Sequence, residues 1–121
     1  MRREQLSQAH VDMCSRLSSY ELAAGCYSAA AHWATAMLEE DRCNEAAYRQ
    51  LMRAYATEGR RGEALRQYQR CKQVLQAELG VAPMAETTRV FYAVLQGETP
   101  PTEQADMEEE PSNRDNMEPA R

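Results

Sequence analysis

His10 and Cys14 stand four residues apart, which on a helix is about one turn and brings an imidazole within reach of a thiol. That pair is the minimum of a base and a nucleophile. It becomes catalytic only with a third group to orient the imidazole and with donors for an oxyanion, and no recognisable pattern supplies either. His10 and His32 are not spaced as a metal pair, and no cysteine or carboxylate stands at a ligand interval that would complete a zinc site. The chain contains no Gly-rich phosphate loop, no G-x-S-x-G and no H-E-x-x-H. The sequence therefore predicts no enzyme, no metal and no cofactor. Cys14, Cys26, Cys43 and Cys71 form no C-x-x-C pair, and each falls where a small apolar residue suits a helix or its junction. That pattern predicts reduced, structural thiols and a cytoplasmic protein rather than a secreted disulfide framework.

The remaining side chains able to recognise something are arginines. Arg66 and Arg70 are one turn apart, Arg60 and Arg61 precede them, and Arg49 and Arg53 repeat the same spacing upstream. On helices these predict charged faces, with Glu45–Arg49 and Glu63–Arg66 as surface pairs worth about 0.2–0.5 kcal/mol each. Two surfaces are candidates for holding a protein partner, a shallow concave face carrying Gln50, Arg53 and Ala54 and the side carrying Arg60, Arg66 and Arg70, and Arg49 is counted among the partner-binding candidates with them.

The elements that must carry these residues are helical. Proline is absent before Pro83, β-branched residues are sparse, and Ala, Leu, Gln, Glu and Arg dominate up to Gln96, a composition of strong helix formers. The first helix is predicted over Arg3–Ala23, with Leu6, His10, Met13, Leu17 and Tyr20 as its apolar stripe, closed near Gly25. A second runs over Tyr27–Glu40 with Ala30, Trp33, Ala34 and Met37 inward. Asn44 is a good N-cap for a third that buries Tyr48, Leu51, Met52 and Tyr55 and ends at Gly59. A fourth spans Arg61–Leu79 with Ala64, Leu65, Tyr68, Cys71, Val74 and Leu75 inward, ending at Gly80. A short fifth runs from Ala85 to Gln96 and presents Val90, Phe91, Val94 and Leu95.

The formal charge of −5 is unevenly placed. From Glu98 onward eight carboxylates face Arg114 and Arg121, a net of −6, which leaves residues 1–97 at about +1. Residues 98–121 are rich in Pro and Glu and nearly free of large apolar residues, so they are expected to form a disordered acidic tail. A nearly neutral folded part beside an acidic tail predicts no direct binding to DNA by this segment. No apolar run or lipidation signal predicts contact with a membrane.

Gly25 recurs as Gly59, Ala30 as Ala64 and Leu17 as Leu51, each 34 residues on, and about 34 residues is the tetratricopeptide period. Tyr48, Leu51, Tyr55, Ala64 and Tyr68 fit the second unit well, while the first fits mainly at Leu17, Gly25 and Ala30. The expected fold is all-α, a tetratricopeptide-like array of helical hairpins with about five helices over residues 1–97.

The residues "EAAYRQLMRAYATEGRRGEALRQYQRC" (45–71) and "LQAELGVAPMAET" (75–87) go beyond a plain repeat. They resemble the bacterial transcriptional activator domain of regulators of the Streptomyces antibiotic regulatory protein type, over residues 3–96. Where that family has Asp-Pro, this chain reads Asp41-Arg42, so a less rigid turn into the third helix is expected. The resemblance implies an activation role through self-association or contact with an RNA polymerase subunit. It also implies that DNA is bound by a winged-helix domain missing from these residues, so the chain is expected to be either part of a longer activator or a free-standing helical half. The alternative expectation is a tetratricopeptide-type adaptor with no part in transcription.

Overall fold

In a computed structural model residues 3–98 are described. The expected acidic tail, apart from Glu98, lies outside the described residues. The helices are α1 (Arg3–Ala23), α2 (Tyr27–Glu40), α3 (Glu45–Thr57), α4 (Arg61–Leu79) and α5 (Ala85–Leu95). No described residue is in a strand. This is the expected all-α, tetratricopeptide-like fold.

The 34-residue period is visible in the backbone. Gly25 and Gly59 take left-handed φ values of +83° and +89°. In both turns the residue after the glycine donates to a carbonyl five residues back, Cys26 to Glu21 at 2.8 Å and Arg60 to Tyr55 at 2.7 Å. The following helix is then entered identically, with Ala30 donating to Cys26 and Ala64 to Arg60. Two hairpins, α1–α2 and α3–α4, thus share one closing geometry, in which the free carbonyls of the first helix are satisfied inside the turn. Ala30 and Ala64, at equivalent places, are fully buried, and side chains this small let the two helices of each hairpin approach closely.

Helix α3 touches all four other helices. It enters through Asn44, whose side-chain oxygen accepts from the Ala47 amide at 3.3 Å. The turn before it is tied by the Asp41 carboxylate accepting from Cys43 N at 3.0 Å, and Arg42 reaches across to pair with Glu78 on α4. On one side of α3 lies a core of Cys14, Ala30, Ala34, Met37, Ala47, Leu51 and Ala54. On the other lie Met52, Ala64, Tyr68, Val90 and Val94, where the Tyr68 and Phe91 rings stack with centroids 4.0 Å apart. Tyr48, Cys71 and Leu75 close the far end.

The face of α1 is a correction. Met13 and Tyr20, expected inside, are 47% and 69% exposed, while Cys14 and Ser18 are fully buried; His10 is exposed too and Leu17 only half-buried. The reason is the neighbour. The alanine face of α2 comes so close that only small side chains fit between, and Ser18 keeps its hydroxyl satisfied by donating to the Ala30 carbonyl at 2.9 Å. Leu95, also expected inside, is 40% exposed, because α5 ends at that residue and turns its last side chain outward.

Helix α5 has no side-chain cap of its own at its N-terminus and is held at both ends by other helices. At its start Glu45 of α3 accepts from Met84 N at 2.9 Å and from the Thr87 hydroxyl at 2.6 Å. At its end Arg61 of α4 donates through Nε to the Val94 carbonyl at 3.1 Å and through Nη2 to Leu95. A carboxylate at the N-terminus and a guanidinium at the C-terminus both oppose the helix dipole.

The glycine turns give the first test. A Cβ at Gly59 would meet nothing within 4 Å, so Gly59→Ala is charged only for its left-handed backbone. It should lower stability by about 1–2 kcal/mol, a fall in Tm of roughly 4–8 °C per kcal/mol for a domain this size. Gly62→Ala, in the first turn of α4 with ordinary φ and equally open surroundings, should be neutral or stabilising in the same thermal melt.

Candidate functional site

The six residues singled out as a partner surface separate into two groups. Arg49, Gln50 and Arg53 are 6%, 4% and 2% exposed and so line no accessible concave face, which corrects that expectation. They sit on α3 where α1 and α5 close over it, and their polar atoms are spent inside. Arg53 Nη1 donates to Gln50 Oε1 at 3.0 Å. Gln50 Nε2 donates to the Ser18 and Ser19 hydroxyls at 3.3 Å each, and Ser18 passes the chain on to Ala30 in α2. Arg49 Nη1 donates to the Thr87 hydroxyl at 2.9 Å, with Glu86 of α5 at 3.8 Å from its Nη2. Buried Thr87 also links Arg49 to Glu45, accepting from the one and donating to the other. Among the described residues no buried side-chain nitrogen or oxygen lacks a partner, which is the condition for keeping cations in a core. Ala54, named with this face, is fully buried as well.

Arg60, Arg66 and Arg70 are on the surface. Arg66 bonds Glu63 through Nε and Nη2, at 3.3 and 3.0 Å, the expected pair one turn apart. That hydrogen bond, foremost, holds the Glu63 carboxyl below its ordinary range. Arg60 pairs with Glu58 at 3.6 Å and lies over the Tyr55 ring, 4.8 Å from its centroid, closing a cleft of about 300 Å³ against His32 and Thr35 of α2. Arg70 donates to the amide oxygen of Gln67 at 3.4 Å. Arg60 and Arg66 therefore have carboxylate partners and Arg70 has an amide.

The thiols are packed rather than poised. Cys14 Sγ does meet His10 Nε2, at 3.6 Å, yet burial, with Glu40 and Glu39 adding to it, pushes the thiol above its ordinary value, so the nucleophilic thiolate is disfavoured. Burial raises Cys43 too and lifts Cys71 from 9.0 to about 12. Tyr48 rises for the same cause, its hydroxyl donating to the Arg42 carbonyl at 3.1 Å. No cluster of three potential metal ligands occurs among the described residues. None of their helices is long and apolar enough to cross a membrane.

Two helical hairpins with matching turns and a clamped fifth helix define a tetratricopeptide-like scaffold. A sequence profile described as the bacterial transcriptional activator domain matches residues 1–95. The chain belongs to that family, a regulatory rather than an enzymatic one. Comparison with curated proteins and with solved structures gave no match.

The buried relay was missed because arginine and glutamine on a helix read as its outer face. A signal was present: Ser18, Ser19 and Thr87 are small hydroxyl residues on other helices, placed to accept from donors that would otherwise be stranded.

Two outcomes separate core from surface. Arg53→Ala strands Gln50 and opens the space left by a long side chain, so it should cost about 3 kcal/mol or more, against a change within about 0.5 kcal/mol for Arg66→Ala; urea midpoints compare them. Cysteine chemistry supplies the second. Exposed Cys26 should react with iodoacetamide in the native protein, and buried Cys14 and Cys71 only in urea. Because the Cys71 thiol is raised on folding, its contribution to stability is complete below pH 9.0 and is lost as pH climbs towards about 12. Urea titrations across that range should show the decline, and Cys71→Ala should flatten it.

Proposed function

We propose that this domain serves transcription activation by contact with proteins, through self-association or through an RNA polymerase subunit, and that the outer side of α4 takes part in the contact. The observation that carries this is the split among its cations. Arg49 and Arg53 are committed to the core, while Arg60, Arg66 and Arg70 are exposed. Family membership supports the regulatory setting. An arginine whose partner is only a glutamine amide, as with Arg70, keeps most of its donors for an incoming carboxylate, the geometry for which a guanidinium is suited. DNA binding is assigned to a winged-helix domain elsewhere, since residues 1–97 carry a charge of only about +1 and affinity for duplex DNA scales with phosphates neutralised.

With only two hairpins the surface is small, so affinity rests on a few anchoring side chains. The double substitution Arg66→Glu, Arg70→Glu should leave helix content unchanged and weaken capture of the partner roughly tenfold or more, since like charges replace attractive ones. The checks are light scattering of the protein for self-association and pull-down against purified polymerase subunits. Unchanged values in both would mean that the α4 arginines are merely solvated, and retained binding to a DNA duplex at physiological salt would favour nucleic acid instead.

A further inference from the structure

A groove of about 460 Å³ runs between the second half of α4 and the segment leading to α5, walled by Gln69, Lys72, Gln73, Ala77, Val81 and Pro83. One wall belongs to the stretch 75–87 that distinguishes this chain from a plain repeat. The α4–α5 helix packing leaves this wall uncovered: Val81 is 46% exposed, with Leu79 and Met84 beside it in sequence at 61% and 51%. Lys72 is the groove's single charged residue and the only lysine in the whole sequence. Its ammonium lies 5.9 Å from the centroid of the Tyr68 ring, which steadies it at the groove. Glu78, the nearest carboxylate along α4, is engaged by Arg42. The groove is thus apolar with one positive charge at its lip.

The same chain carries a segment of matching chemistry. Residues 103–110 place Met107 among Glu103, Asp106, Glu108, Glu109 and Glu110 with no basic residue between them. They are within reach. Arg61 at the start of α4 bonds the last carbonyls of α5, so the chain leaves α5 at Glu98 near that end of α4. Lys72 lies eleven residues further along the helix, about 17 Å at its rise per residue, and eight extended residues after Glu98 span about 26 Å.

We propose that residues 103–110 dock back onto this groove, seating Met107 against Ala77, Val81 and Pro83 and gathering their carboxylates around Lys72. The occupant is this chain's own acidic segment, held by one apolar anchor and by charge, and therefore weak and sensitive to salt. Tethering offsets the weakness, because a short linker presents the segment at an effective concentration in the millimolar range. The groove is distinct from the Arg60, Arg66 and Arg70 side, and its occupancy does not depend on what that side binds.

The single lysine makes the test specific. The full chain, mixed as unlabelled and ¹⁵N-labelled copies, is treated with a carbodiimide that joins amines to carboxylates, and the products are read by mass spectrometry. The expected result is an amide from Lys72 to a carboxylate within residues 103–110 of the same chain. Its yield should fall several-fold in Met107→Ser, in Val81→Asp, and at high salt. Val81 is exposed and residue 107 is outside the described residues, and circular dichroism should be unchanged in both variants. Equal yields in the wild type and both variants would mean random encounters of a tethered chain and overturn the proposal. Links that join labelled to unlabelled chains at the proportion expected of random pairing between copies would overturn it in favour of a second copy as occupant.

Discussion

The fold depends on burying α3 from every side. Eight consecutive residues, 47–54, are buried, and three of them, Arg49, Gln50 and Arg53, are polar. A helix turned inward all round is ordinarily apolar all round, so this one is stable only if neighbours satisfy its donors. Ser18 and Ser19 do so from α1 and Thr87 from α5. These bonds are directional, and that makes them useful beyond their energy: an apolar contact tolerates a helix sliding by a fraction of a turn, whereas the Thr87 relay joins Arg49 and Glu45 only in one register. Replacement of such a network by apolar residues is often neutral for stability. Its contribution here is to fix where α1 and α5 sit on α3.

The repeat and the clamp solve different problems. Repetition of the glycine turn makes each hairpin close by the same local bonds, so α1–α2 and α3–α4 are set by residues near in sequence. A repeat array buries its core by stacking neighbours and needs its last unit covered. Here α5 is that cover, and at eleven residues it is short for a helix to be stable alone. Glu45 and Arg61 compensate, one from each helix of the second hairpin, adding a second carboxylate to its own Glu86 at the start and, at the end, the cation its last turn lacks. This accounts for α5 packing on both α3 and α4 although five residues separate it from α4.

Helix limits were legible in the sequence because caps are local. Gly25, Gly59 and Gly80 adopt positive φ at the three places expected, and Asn44 caps α3 as its position implies. Faces were legible wherever large apolar residues met large apolar residues, as at Tyr48, Leu51, Tyr68 and Leu75. They were illegible in α1, because hydrophobicity ranks Met13 and Tyr20 above Cys14 and Ser18, whereas the closeness of α2 ranks by size. The partner surface failed at Arg49, Gln50 and Arg53 for a related reason: charge patterning says that a guanidinium wants a partner, and only tertiary structure says whether that partner is water, another protein or Thr87.

The two fates of arginine bear on how such a domain evolves contacts without losing its fold. Cations in the core are coupled to several helices at once, so a change at Arg53 propagates through Gln50 and Ser18 to α2. Cations on the outer side of α4 are bonded within their own helix, Arg66 to Glu63 and Arg70 to Gln67, and changing one leaves the packing of the others intact. Surface charge on α4 can therefore be altered to suit a partner while α3 keeps the hairpins in place. Recognition and stability are carried by the same residue type in different surroundings, and it is burial, set by the closeness of α1 and α5 to α3, that decides which role each arginine performs.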